Sequence, residues 1–200
     1  MNGKILVRPT LASKNLRKRR VAHVSGADNL AAMNTSSLNY QDMPSPIGRL
    51  RLLADTDVLV GIWFEQGRDA RKGEANPVER NSPVLVRTRM QLEEYFHGDR
   101  RGFDLPLAPR GTEFQRRVWQ RLCFIEYGTT TTYGALAQEL GNPGAARAVG
   151  LANGSNPIPI IIPCHRVIGA NGALTGFGGG LPMKSALLEL ERADRQPRLL

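Results

Sequence analysis

The sequence predicts an α+β protein, with a small N-terminal sheet-plus-helix domain and a mostly helical C-terminal domain that contains a helix-turn-helix. Three observations carry that prediction. Leu50, Leu52 and Ala54 alternate with Arg49, Arg51 and Leu53, and after an Asp55-Thr56-Asp57 turn the run Val58–Phe64 is rich in Val, Ile and aromatics, so the two segments read as paired strands. Thr112-Glu113-Phe114-Gln115 has the form of a capping box. Gly141 followed by Asn142-Pro143 reads as the stop of one helix and the start of the next.

Residues 1–38 are expected to be a disordered basic extension, basic first and then rich in Ser, Ala and Asn, without periodicity. Residues 39–107 form the N-terminal domain, with firm order from about Met43 and the turn cluster Pro44–Gly48. Val84–Phe96 has helical character and stops at Gly98; Phe103–Pro106 reads as a short edge strand that Pro106 ends. This domain shows no recognisable chemistry of its own. Residues 108–200 form the C-terminal domain. Its first helix follows the capping box and buries Phe114, Val118, Trp119, Leu122 and Ile125. A second spans Tyr133–Leu140, and a third runs from Pro143 to about Ala152. The small residues of the third helix suit close approach to a partner and tight internal packing equally.

The chain of 200 residues carries 27 Lys+Arg against 18 Asp+Glu, a net charge of +9. Residues 1–38 hold seven bases and one acid, so removing their +6 leaves +3 for the remainder, and the folded part is only mildly basic. Cys123 and Cys164 cannot build a disulfide framework. No apolar run approaches the roughly 20 residues that cross a bilayer, and the expected location is cytoplasmic. His23 and His97 lie far apart without cysteine companions, so no metal is expected.

The informative stretch is Asn156–Val167, where apolar residues bounded by prolines end at Cys164 beside His165. A stiff, buried backbone would hold the thiol, and an adjacent base could keep it as thiolate. The residues alone also fit a buried structural cysteine, as they do for Cys123.

Ile162-Pro163-Cys164-His165-Arg166-Val167 resembles the active-site signature of the 6-O-methylguanine-DNA methyltransferases. Gly111–Trp119, Tyr133–Ala137, Ala146–Gly150, Asn156-Pro157, Gly176–Gly180 and the Lys184…Glu191 helix match the family in order, and the resemblance covers about Pro46 to the C-terminus. It implies irreversible, stoichiometric transfer of the alkyl group of 6-O-alkylguanine, and of 4-O-alkylthymine, onto Cys164, after the base is flipped out of the duplex. His165 and Glu191 would complete a thiol–water–histidine–carboxylate relay, Asn156 would brace the nucleophile's turn, and Tyr133 would donate to the leaving guanine. Ala146, Arg147, Ala148 and Tyr133 would contact DNA, with Arg147 filling the gap the base leaves. Val167, Pro159, Phe177 and Gly178 would line the base pocket, Phe177 by stacking and Gly178 through its N–H. The implied partner is double-stranded DNA containing alkylated guanine, met by a monomer without cofactor or metal. Glu126 and Thr132 depart from the family's commoner residues at those positions. Two rival readings are a helix-turn-helix regulator indifferent to Cys164, and a Cys–His hydrolase, which would need an oxyanion hole.

Overall fold

The computed structural model describes residues 5–6, 38–65 and 77–193. In the N-terminal domain, strands β1 (Ile5–Leu6), β2 (Asn39–Met43), β3 (Leu50–Asp55), β4 (Val58–Phe64), β5 (Val78–Glu79) and β6 (Pro106–Leu107) form one sheet ordered β1-β6-β4-β3-β2-β5. The pairs β2–β3 and β3–β4 are antiparallel, whereas β5 runs parallel to β2 and β6 parallel to β4. The hairpin predicted from residues 49–64 is present, with Thr56 taking the left-handed conformation in its turn. A register shift at Leu53/Ala54 interrupts the ladder, and Leu53, which alternation had set apart from Leu52 and Ala54, is buried with them.

Two expectations need correction. Pro106 opens strand β6 instead of ending one, a position that proline tolerates because it has no N–H to donate. That strand is also not an edge, because β1 covers it. Ile5 and Leu6 lie within the stretch expected to be disordered, yet their backbone pairs with Leu107 and Pro106; apart from these and Leu38, that stretch lies outside the described residues.

Helix α1 (Pro83–Phe96) packs on β3 and β4 through Val84, Leu85, Leu92 and Tyr95, and Gly98 follows at φ 83°. The C-terminal domain contains α2 (Glu113–Leu122), β7 (Thr131–Thr132), α3 (Tyr133–Glu139), α4 (Ala146–Gly154), β8 (Val167–Ile168) and α5 (Leu181–Ala193). The capping box exists as predicted: Gln115 N–H donates to Thr112 Oγ1 at 3.2 Å, and Thr112 N–H to Gln115 Oε1 at 2.8 Å. Val118, Trp119 and Leu122 of α2 are buried, and Trp119 donates its indole N–H to the Ala152 carbonyl at 2.8 Å, tying α2 to α4. Gly141 closes α3 at φ 77°, and a 3₁₀ turn over Pro143–Ala145 leads into α4, giving the expected helix-turn-helix.

One continuous apolar core joins the two domains, and Ile62 N–H donates to the Pro157 carbonyl at 2.9 Å across their junction. Among the described residues no helix is long and apolar enough to cross a membrane.

Candidate active site

Every residue from Ile158 to Val167 is buried. The chain here turns back tightly: Ile162 N–H donates to the Ile158 carbonyl at 3.0 Å, and Ile160 sits at φ 74°. For a β-branched residue that conformation costs on the order of 1–3 kcal/mol and persists only where its surroundings enforce it. Asn156 provides much of that enforcement. Its Oδ1 accepts from Ile158 N–H at 3.0 Å and its Nδ2 donates to the Ile162 carbonyl at 2.8 Å, clamping both ends of the turn. Cys164, His165 and Arg166 follow as one 3₁₀ turn, so their side chains diverge instead of stacking.

That divergence decides the protonation states. Burial pushes the Cys164 thiol up to about 11, against the opposing influence of Asn156, the Lys184 charge and nearby backbone N–H groups. His165 is fully buried, and desolvation holds its pKa below the ordinary value despite its carboxylate partner. Burial therefore favours the neutral thiol and the neutral imidazole in this pair, opposing the thiolate that an adjacent base would favour. His165 Nε2 faces Glu191 Oε1 at 2.8 Å; a carboxylate accepts, so the proton resides on Nε2 and Nδ1 keeps its lone pair. Nδ1 is buried and has no hydrogen-bond partner among the described residues.

Glu191, on α5, is completely buried. Burial alone would raise its carboxyl, but hydrogen bonds and charge from His165 and Arg166 outweigh that and hold it well below the usual carboxylate range. The permanent counter-charge is Arg166, which donates Nε to Oε2 and Nη2 to Oε1, both at 2.9 Å. Tyr95 O–H donates to Oε1 at 2.8 Å and Gly128 N–H to Oε2 at 2.9 Å. Tyr95 belongs to α1, so the N-terminal domain, which shows no recognisable chemistry of its own in sequence, reaches the site by supporting Glu191.

Tyr133 is placed by a two-strand ladder. Strand β7 pairs parallel with β8, Thr131 opposite Val167 and Thr132 opposite Ile168, which locks the start of α3 to the residues just after Cys164. Thr132 Oγ1 caps α3 by accepting from Ala135 N–H at 3.1 Å. The Tyr133 hydroxyl donates to the Thr175 carbonyl at 3.3 Å and accepts from Thr175 Oγ1 at 3.2 Å, and burial holds its pKa above the ordinary value. Its ring lies against α4 at Gly150, where a Cβ would sit 3.7 Å from it. Tyr133 thus stands between the thiol, the second helix of the helix-turn-helix and the glycine-rich loop.

Lys184 closes the same space from α5. Although fully buried, it donates Nζ to the carbonyls of Val167 and Thr175, each at 2.6 Å, and desolvation lowers its pKa. Val167, whose carbonyl accepts from Lys184, is buried, as are Pro159 and Phe177, and Gly178 is half-buried. Arg147 and Ala148 are exposed on α4 and Ala146 is half-buried, outside the thiol network. Sequence reasoning quoted Arg166 and Lys184 within matching segments but assigned them no role, and it missed Tyr95, Gly128 and Thr175. A basic residue beside a nucleophile gives no sign in sequence that it turns inward, and Tyr95 meets Glu191 only through the tertiary fold.

Two family models match the chain: the ribonuclease-like domain of 6-O-methylguanine DNA methyltransferase over residues 38–109, and the DNA binding domain of the same family over residues 113–193. A methylated-DNA–protein-cysteine methyltransferase of Methanosarcina acetivorans is 50% identical over 152 residues, covering 76% of this chain and 97% of the relative. One from Haemophilus influenzae is 47% identical over 158 residues, covering 78% and 88%. Among solved structures, Mycobacterium tuberculosis OGT in complex with DNA is similar at a TM-score of 0.73 and 46% identity, covering 80% of this chain and 96% of that one.

Proposed function

The chain belongs to the 6-O-methylguanine DNA methyltransferase family, and we propose that, acting as a monomer, it takes the alkyl group from 6-O-alkylguanine in duplex DNA onto Cys164. The observation that carries this assignment is the buried network that adjoins Cys164 in the chain: a His165 whose Nε2 is committed to Glu191, itself ion-paired with Arg166, leaving Nδ1 as the acceptor. As the base enters, the thiol proton passes through a water to His165 Nδ1, and the imidazolium formed is stabilised by Glu191. Sγ attacks the alkyl carbon in line, the C–S bond forms, and the C–O bond breaks with its electron pair going to the guanine oxygen. Tyr133 gives the proton of its O–H to the leaving guanine and is reprotonated from the His165 imidazolium by way of water, so that in sum the thiol's proton replaces the alkyl group on the base. The Gly178 N–H faces the guanine oxygen, and Phe177, Val167 and Pro159 enclose the ring. Lys184 opposes the rise of the thiol pKa and holds two stretches of the pocket wall together.

A base within a duplex is out of reach, so it is extruded at a cost of a few kcal/mol, less where alkylation has weakened its pairing. Helix α4 offers Arg147 and Ala148 outward to the groove, and Arg147 fills the space the base vacates. The thioether product is a poor leaving group, and each molecule acts once. Titrating the protein into duplex DNA bearing one radiolabelled 6-O-methylguanine tests this. Label is expected to plateau near one per protein molecule while plain guanine appears in the DNA. Repeated turnover, or binding with the lesion intact, would overturn the assignment.

A further inference from the structure

In the loop Gly176–Gly180, Phe177 is the single residue with a side chain larger than hydrogen. Where the loop lies is therefore decided by what that ring packs against, and it packs against the N-terminal domain. Phe64, at the end of β4, places its ring 5.5 Å from that of Phe177 at an interplanar angle of 55°. Gly179 fills the remaining gap: a Cβ there would lie 2.6 Å from Met183 Sδ and 3.1 Å from both phenylalanine rings. Two residues earlier on β4, the Ile62 N–H holds the Pro157 carbonyl at 2.9 Å, at the head of the turn that carries Cys164. One strand of the N-terminal sheet thus grips both walls of the base pocket from behind, the nucleophile's turn through Ile62 and the glycine-rich loop through Phe64.

We infer that Phe64 is a positioning residue that sets the width of the alkyl pocket, so that discrimination between small and bulky alkyl groups depends on a residue of the N-terminal domain that touches neither DNA nor the reacting atoms. The inference rests on the alkyl-transfer assignment above and extends it to the size of the group transferred. Shortening Phe64 removes the backing of Phe177 and lets the loop recede. Adding a methyl at Gly179 wedges the loop away from Phe64 and towards the thiol. The two changes act in opposite directions on the same wall.

The test uses the full chain and two duplexes, one with a single 6-O-methylguanine and the other with a single 6-O-benzylguanine, and compares single-turnover transfer rates. Phe64→Leu is expected to raise the benzyl-to-methyl rate ratio by about tenfold, and Gly179→Ala to lower it by a similar factor, since small volume changes in an apolar pocket carry discrimination of that order. Loss of packing alone would slow both substrates together and leave the ratio unchanged. A ratio within about twofold of wild type in either variant, or a fall in Phe64→Leu, overturns the inference while the wild type still transfers both groups. If the wild type transfers neither, it is the alkyl-transfer assignment that fails.

Discussion

Cys123 and Cys164 are both sheltered thiols in the same domain, and their surroundings differ in the one respect that chemistry requires. Cys123 ends α2, donates its S–H to the Trp119 carbonyl at 3.3 Å, and is pushed by burial up to about 12, with the Arg166 charge as the main opposing influence. Cys164 is the more deeply buried, yet it is pushed only to about 11, because Asn156, Lys184 and two backbone N–H groups favour its thiolate. In both, burial favours the neutral thiol. What sets Cys164 apart is the residue next to it, His165, whose buried imidazole is held by the Glu191 carboxylate at 2.8 Å; in the proposed mechanism these two take up the thiol proton. A buried nucleophile is prepared by the groups that will stabilise its charge when that charge forms.

The sharpest separation of the two sites comes from removing each sulfur. Cys164→Ser is expected to abolish transfer, and Cys123→Ser to retain the wild-type rate and stoichiometry, both read as label on protein; loss of transfer in Cys123→Ser would break the contrast.

Removing the carboxylate comes next. Glu191→Gln leaves Arg166 buried without its counter-charge, which should cost about 3–5 kcal/mol of stability in chemical denaturation. It also removes the partner of His165, which should slow transfer by roughly 10²–10⁴-fold. Glu189→Gln, one turn-face away and exposed, should change neither; an equal effect from both would deny Glu191 its place in the relay.

The smallest effects are those of pH. His165 lies below its ordinary value of 6.5, so the imidazole stays neutral as pH falls and the single-turnover rate should remain flat through about 6.5, breaking only lower. A break at 6.5 itself would describe an exposed histidine. Both thiols lie above their ordinary value of 9.0, so the stability they contribute is complete below about 9 and is lost as pH rises towards about 11 for Cys164 and about 12 for Cys123. Glu191 has the opposite sign: its contribution is present above the ordinary carboxylate value of 4.5 and is lost on acidification. Melting temperatures of wild type and the two serine variants across the alkaline range check the thiol effect, which should be weaker in each variant.

Legibility in the sequence followed the range of the interactions. The β3–β4 hairpin, the capping box at Thr112 and the helix-turn-helix rest on neighbours within a few residues, and each was found where local pattern placed it. The order of the sheet was not legible, because β6 inserts between β1 and β4 by contacts from distant parts of the chain. The stretch around Cys164 was recognisable through its resemblance to the family's signature, while its residues alone left a structural cysteine equally open; the Asn156 clamp acts within that same stretch. The protonation states were not, since they depend on burial and on the direction in which a 3₁₀ turn sends each side chain. Tyr95 shows the limit most plainly: it meets Glu191 across 96 positions of sequence, from a domain that shows no chemistry when read alone.

The most direct measurement is peptide mapping of the wild-type protein after reaction with duplex DNA carrying one labelled 6-O-methylguanine. The label should lie wholly on the peptide containing Cys164, with Cys123 unmodified. Label on Cys123, or unlabelled protein with the lesion still in the DNA, would contradict the assignment of Cys164 as the acceptor.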